Sequence, residues 1–133
     1  MVTRTRIRVL VVDHSEAMRL SLHQVLNAFT DLQWVGEVHD ADVDDIVTQC
    51  ERLCPDVVLL DVGWPHRDVT QIIRQLRHVF PTLQIIGIAG FEEQGLIDQI
   101  LKAGAILCLS KTATVTAIAD AIRWVMQSMG SVS

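Results

Sequence analysis

Two aspartates and a lysine follow short apolar runs at widely spaced points of the chain. Asp13 follows the letters VLVV, Asp61 follows DVVLL, and Lys111 comes two residues after AILCL. If those runs are neighbouring strands, the two carboxylates converge, and their repulsion raises a pKa or attracts a divalent cation such as Mg²⁺. Two carboxylates, a metal ion and a lysine together suit the binding of a phosphoryl group. Asp61 would be its acceptor, because aspartate can form an acyl phosphate.

Each of these residues also has a simpler interpretation. Asp61 precedes Gly63 and Pro65, so it could be a turn residue whose carboxylate caps its own backbone. Lys111 could be a surface lysine beside a helix. The joint occurrence of the three residues at matching strand ends favours the site, because each simpler interpretation would have to hold independently.

Three histidines, His14, His39 and His66, fall near the same predicted edge. Imidazoles combined with Asp13 or Asp61 would suit a transition metal such as Zn²⁺. The alternative is that all three are solvated loop residues, since their spacing matches no metal-binding motif.

Five apolar runs alternate with five stretches of helical periodicity. The runs cover 7–12, 33–38, 56–60, 83–89 and 105–109, and the helical stretches cover 18–29, 43–53, 69–79, 96–101 and 115–126. Ser15 can cap the first helix, Pro55 ends the second and Gly104 ends the fourth. Continuous apolar strands separated by helices predict an α/β fold with a doubly wound parallel sheet. In such sheets ligands bind beyond the carboxyl ends of the strands, where the two aspartates and the lysine stand.

Length and charge limit the class of protein. The 133 residues fit one domain, and half of them are hydrophobic, so a packed core is expected. The net charge of −5 argues against nucleic-acid binding by this domain alone, which needs clustered Lys and Arg. No segment is apolar over the length of a bilayer and none resembles a signal peptide, so we expect a cytoplasmic protein with no membrane partner.

The three cysteines, Cys50, Cys54 and Cys108, do not show the paired spacing of a disulfide framework. Cys50 and Cys54 are one helical turn apart. We expect both to pack as small hydrophobic residues of the second helix.

Three segments resemble the receiver domains of two-component response regulators: IRVLVVDHSEAMR, PDVVLLDVGWP and KAGAILCLSK. The resemblance extends from Arg6 to about Met126 and is greatest to receivers that precede a helix-turn-helix DNA-binding domain. It implies a flavodoxin-like sheet of strand order 2-1-3-4-5 with five helices. We expect one receiver domain over 1–133 with a core of about 6–126, and 127–133 as a frayed tail or the start of a linker. The chain is expected to be a piece of a longer regulator.

The resemblance also implies roles for particular residues. Asp61 matches the aspartate that is phosphorylated by a sensor histidine kinase, and Lys111 matches the lysine that contacts the phosphoryl group. Asp13 matches the first member of an acidic pair that binds Mg²⁺, and the backbone carbonyl of Gly63 matches a further metal ligand. Such a domain is a phosphoryl acceptor rather than an enzyme.

Three positions depart from the family pattern. His14 replaces the second acid of the pair, Ala89 replaces a Ser or Thr that bonds the phosphoryl group, and Cys108 replaces an aromatic switch residue. Neutral imidazole is a poor Mg²⁺ ligand, so Mg²⁺ binding is expected to be weak or absent. A methyl group cannot bond a phosphoryl oxygen. We therefore expect little conformational switching, because a ligand shifts an equilibrium only through differential contacts.

Two functions stay open at this point, and a third is disfavoured. The chain could accept a phosphoryl group on Asp61 with a degenerate metal and switch site. It could instead be a phosphorylation-independent pseudo-receiver that docks a partner or forms a homodimer through its fourth helix, fifth strand and fifth helix. A nucleotide-binding enzyme is disfavoured because no glycine-rich loop follows the first strand.

Overall fold

A five-stranded parallel sheet with strand order β2-β1-β3-β4-β5 organises the chain in the computed structural model, which describes residues 6–130. The strands are β1 Ile7–Val12, β2 Leu32–Val38, β3 Val57–Asp61, β4 Gln84–Ala89 and β5 Leu107–Ser110. The helices are α1 Glu16–Asn27, α2 Val43–Leu53, α3 Val69–Val79, α4 Ile97–Ala103 and α5 Val115–Gly130, with a 3₁₀ segment at Phe91–Leu96. The predicted flavodoxin-like fold and strand order are confirmed.

Alternate residues of the central strands enter two separate cores. On β1, Leu10 and Val12 pack with residues of α2, α3 and α4, whereas Val9 and Val11 pack with residues of α1 and α5. All four side chains are buried. Side chains of a strand point alternately to opposite faces, so a sheet covered on both faces needs continuous apolar strands. Polar groups are thereby confined to the strand ends.

Side-chain caps begin three of the helices near the carboxyl edge of the sheet. The Ser15 hydroxyl accepts a hydrogen bond from the Met18 amide (3.2 Å), as the sequence predicts. Asp42 and Asp68 cap α2 and α3 in the same manner. Capping supplies acceptors for amides that have no partner within the helix, and so fixes where each helix leaves its loop.

Several element boundaries differ from the sequence prediction. Asp61 is the last residue of β3 rather than the residue after it. Helix α5 continues past Met126 to Gly130, so residues 127–130 extend this helix; residues 131–133, the rest of the predicted tail or linker, lie outside the described part. The prediction that Cys54 packs within the second helix is wrong. Cys54 is exposed and follows α2 with a left-handed backbone (φ 50°), whereas Cys50 is buried.

Within residues 6–130, none of the helices has both the length and the apolar character needed to cross a membrane.

Candidate functional site

Asp13 and Asp61 lie side by side at the carboxyl edge of the sheet. Val12 of β1 pairs with Leu60 of β3, so the next residue of each strand meets its neighbour across the edge. The Asp13 residue is 1% exposed and Asp61 is fully buried. The parallel register therefore places two carboxylates, 48 positions apart in sequence, in one buried location.

Each carboxylate has one oxygen bonded to the backbone and one without a donor. Asp13 Oδ1 accepts a hydrogen bond from the Ser15 amide (2.8 Å), and Asp61 Oδ1 accepts one from the Gly63 amide (2.9 Å). Within the described residues, Oδ2 of both aspartates is buried without a hydrogen-bond partner. Burial raises the pKa of Asp13; the Ser15 amide opposes this rise and the charge of Asp61 adds to it. Such oxygens are costly to bury, which points to a cation or ligand at this edge.

His14 lies against Asp61 rather than in free solvent. Its Nδ1 is 3.0 Å from Asp61 Oδ2, while its side chain is 48% exposed. The ring N–H is not directed at that oxygen, since Oδ2 has no hydrogen bond. Trp64 borders the imidazole, with ring centroids 4.9 Å apart, and donates its indole N–H to the Asp61 carbonyl (2.7 Å). His14 thus lies with Asp13 and Asp61 at this edge of the sheet.

The three predicted edge histidines do not form one cluster. Oxygens of Asp13 and Asp61 and a ring nitrogen of His14 lie within 4.8 Å of one another. His39 is instead 3.3 Å from Glu37 Oε2 on β2, and His66 lies in an exposed turn outside this group. Two carboxylates fit Mg²⁺, which prefers oxygen ligands, but the imidazole does not.

Lys111 approaches the aspartates from β5. Its amide donates to the Ala89 carbonyl (3.0 Å), which holds the start of this loop against the end of β4. Its Nζ lies 3.4 Å from Asp61 Oδ1 and 3.7 Å from Glu93 Oε1. Partial burial lowers the pKa of the Lys111 ammonium. The nearby carboxylates of Asp61 and Glu93 together have a larger, opposite effect, so the pKa is raised. Lys111 therefore stays charged at neutral pH.

Glu93 contributes a third carboxylate that the sequence analysis did not predict. Its Oε1 accepts a hydrogen bond from the Gly90 amide (2.8 Å), which folds the side chain back over the end of β4. A Cβ atom at Gly63 would lie 2.9 Å from that oxygen, so a larger residue there would displace the end of the Glu93 side chain. The only signal in the sequence is an acid placed shortly after the fourth strand, and that pattern is too common to identify it.

The two residues predicted to occupy substituted switch positions lie on two neighbouring strands. Ala89 ends β4 and is 1% exposed, so its methyl group offers no hydrogen bond toward the site. Cys108 is half-buried on β5, beside Gly87 of β4. Burial raises the pKa of the Cys108 thiol, so this cysteine stays protonated and unreactive.

A doubly wound sheet with two aspartates and a lysine at its carboxyl edge defines the class of receiver domains. A family model described as "Response regulator receiver domain" matches residues 9–123, and the chain belongs to this family of two-component response regulators. The transcriptional regulatory protein LiaR of Bacillus subtilis is 32% identical over 117 residues, covering 88% of this chain and 54% of that protein. The response regulator protein VraR of Staphylococcus epidermidis is 28% identical over 117 residues, covering 88% and 55%. The chain thus spans about half the length of these relatives.

Solved structures agree with this assignment. The signal receiver domain of the putative response regulator NarL from Mycobacterium tuberculosis is 27% identical with a TM-score of 0.78, covering 88% of this chain and 93% of that one. The response regulator domain of Thermotoga maritima CheB is 25% identical with a TM-score of 0.78, covering 92% and 97%.

We predict that Asp13→Asn stabilises the protein in metal-free buffer. The amide removes the repulsion between two buried carboxylates, keeps an oxygen for the Ser15 amide, and brings N–H donors to the buried edge. The free energy of unfolding should rise by about 1 to 2 kcal/mol. Urea denaturation with a chelator present measures it.

Asp98→Asn is the matched control, because Asp98 is exposed on α4 and its loss should change stability by less than about 0.5 kcal/mol. A fall in stability on Asp13→Asn would show that the Asp13 charge stabilises the metal-free fold.

Proposed function

We propose that this receiver domain accepts a phosphoryl group on Asp61 from a phosphohistidine of a sensor histidine kinase. The observation that carries the proposal is the Asp61 carboxylate. It is buried, has one oxygen without a hydrogen-bond donor, and has its other oxygen 3.4 Å from the Lys111 ammonium. An acceptor needs a free lone pair and a nearby cation for the incoming charge, and Asp61 has both.

The proposed transfer exchanges one bond to phosphorus for another at this edge of the sheet. An oxygen of Asp61 attacks phosphorus, a P–O bond forms as the P–N bond of the donor breaks, and the donor imidazole leaves and takes up a proton from water. Lys111 offsets charge on the phosphoryl oxygens, while the Gly63 amide keeps the carboxylate oriented. Receiver domains are generally not enzymes, and the role here is that of a self-modifying acceptor at most.

Receiver domains typically bind Mg²⁺ through acidic residues. In this chain Asp13, Asp61 and the Gly63 carbonyl would be the oxygen ligands, with His14 at the degenerate position. The imidazole argues for weak or absent Mg²⁺ binding.

Incubation with a small phosphodonor such as acetyl phosphate should add one phosphoryl group to the wild-type chain and none to Asp61→Asn. Intact-mass spectrometry measures it, and hydroxylamine should remove the group because an acyl phosphate is labile to it. Asp68→Asn, an exposed helix cap outside the site, is the matched control and should be modified like wild type. Modification of Asp61→Asn to the wild-type extent would remove Asp61 from this role.

Glu93 lies where it would oppose phosphorylation. Its carboxylate is close to Lys111 and over Gly63, so an incoming phosphoryl group meets a negative charge and a lysine already paired. Neutralising it frees Lys111 for the phosphoryl oxygens. A carboxylate at this distance from a partly exposed cation is worth roughly 1 kcal/mol.

Glu93→Gln should therefore raise the rate of phosphorylation by acetyl phosphate by about five-fold, a change equivalent to roughly 1 kcal/mol. The amide oxygen still accepts from the Gly90 amide, so the loop is kept. Glu92→Gln is the matched control. The Glu92 side chain is next to Glu93 in sequence, is exposed, and forms no ion pair among those found in residues 6–130. A rate below wild type for Glu93→Gln would mean that Glu93 assists the transfer.

A second candidate function is docking or self-association that does not depend on phosphorylation. Large apolar side chains are exposed on or beside the 3₁₀ segment, α4 and α5: Phe91, Leu96, Leu101, Ile106, Val115 and Trp124. Phe91 is 89% exposed and Trp124 is 52% exposed. Exposed apolar groups favour protein contacts, and the methyl group of Ala89 cannot report a phosphoryl group to this face.

Sedimentation analysis with and without beryllofluoride separates the two functions. Under the second, the unmodified chain self-associates, beryllofluoride changes neither its association nor its Trp64 fluorescence, and Trp124→Glu weakens the association at least about ten-fold. Leu20→Glu, at an exposed leucine of α1, is the matched control. A monomer that associates only with beryllofluoride would contradict the second function.

The similarity to the transcriptional regulatory protein LiaR supports a role in transcription regulation. We place that role in the cytoplasm, and the acidic net charge argues that this domain itself does not hold nucleic acid.

A further inference from the structure

Asp13, His14 and Asp61 together offer a mixed set of ligand atoms at one edge of the sheet. Two are carboxylate oxygens and one is an imidazole nitrogen, and all lie within 4.8 Å of one another. Both aspartates are buried, while the half-exposed His14 closes the set from the solvent side. An ion could enter past the imidazole and meet the carboxylates behind it.

One oxygen of each aspartate in this set accepts no hydrogen bond. Oδ2 of Asp13 and Oδ2 of Asp61 are both buried without a hydrogen-bond partner, although a ring nitrogen lies 3.0 Å from the second of them. Two ligands of one first-row metal ion, each about 2.1 Å from it and at right angles, are about 3 Å apart. The His14–Asp61 spacing is compatible with two ligands that share an ion, and Asp61 Oδ2 has no hydrogen bond that an ion would have to displace.

We propose that Asp13, His14 and Asp61 bind a late first-row divalent cation, of the class of Zn²⁺, Co²⁺ or Ni²⁺, in preference to Mg²⁺. Imidazole nitrogen binds these borderline ions well, whereas Mg²⁺ prefers oxygen ligands and is reluctant to lose water for nitrogen. Replacement of a carboxylate by a neutral ring also removes a negative charge that Mg²⁺ needs. The proposed metal site coincides with the site of the proposed phosphorylation. Metal binding itself does not require that function, but the biological use of the metal rests on it.

The test is calorimetric titration of the untagged, chelator-treated chain with Zn²⁺, Co²⁺ and Mg²⁺ separately, in a Cys54→Ser background. That background removes the exposed thiol, and the buried Cys50, whose pKa burial raises to about 12, is no competing ligand. Zn²⁺ and Co²⁺ should bind one per chain and at least about ten-fold more tightly than Mg²⁺. The bound Co²⁺ should show ligand-field absorption bands that change when His14 is replaced.

Two variants make the test specific. His14→Ala should weaken Zn²⁺ and Co²⁺ binding by more than roughly ten-fold, and His14→Asp should narrow the difference in affinity by strengthening Mg²⁺ binding. His39→Ala is the matched control, because His39 is an exposed histidine beside one carboxylate and should leave all three affinities unchanged.

Tighter binding of Mg²⁺ than of Zn²⁺, no binding of Zn²⁺, or Zn²⁺ binding that survives His14→Ala would each overturn the inference. Failure of acetyl phosphate to modify Asp61, with the His14-dependent Co²⁺ bands intact, would count against the proposed function alone. The two results are separate because no phosphodonor is present in the titration.

Discussion

The burial of two carboxylates side by side is the constraint on which the rest of this site depends. Adjacent parallel strands bring Asp13 and Asp61 to one edge, and backbone amides serve only one oxygen of each. Like charges in a buried location repel, so positive charge must come from elsewhere. Lys111 supplies part of this positive charge from the end of β5, and His14 lies beside Oδ2 of Asp61. The fold keeps an energetically unfavourable pair, which is typical of a site that is completed by a ligand.

The substitutions in this receiver redistribute charge without removing Asp61, the acceptor that we propose. An imidazole takes the place of one acid, and Glu93 lies beside the lysine that a phosphoryl group would use. Ala89 provides no hydroxyl for that group. Under the proposed function, these changes would keep the Asp61 carboxylate while weakening the contacts that report its phosphorylation. Under the second candidate function, the exposed apolar side chains near α4 and α5 act without modification.

Much of the fold could be predicted because its signals are local. Apolar runs and helical periodicity located all five strands and five helices, and Ser15 marked the first helix start. Errors fell at boundaries, where local signals compete with tertiary ones. Helix α5 passes Met126 to Gly130, and Cys54 leaves the helical spacing to adopt a left-handed cap. A one-turn spacing cannot show whether the second residue still belongs to the helix.

The sequence by itself determined which residues stand at the strand ends, because burial of continuous apolar strands leaves polar groups no other place. It therefore placed Asp13, Asp61 and Lys111 at one edge of the sheet, and the family resemblance marked His14 as a departure from the pattern. Only the tertiary structure decided which further side chains contact Asp61 and Lys111. The approach of His14 to Asp61 and of Glu93 to Lys111 depends on loop paths and side-chain rotamers. Those are set by packing among residues far apart in sequence, and no local pattern encodes them.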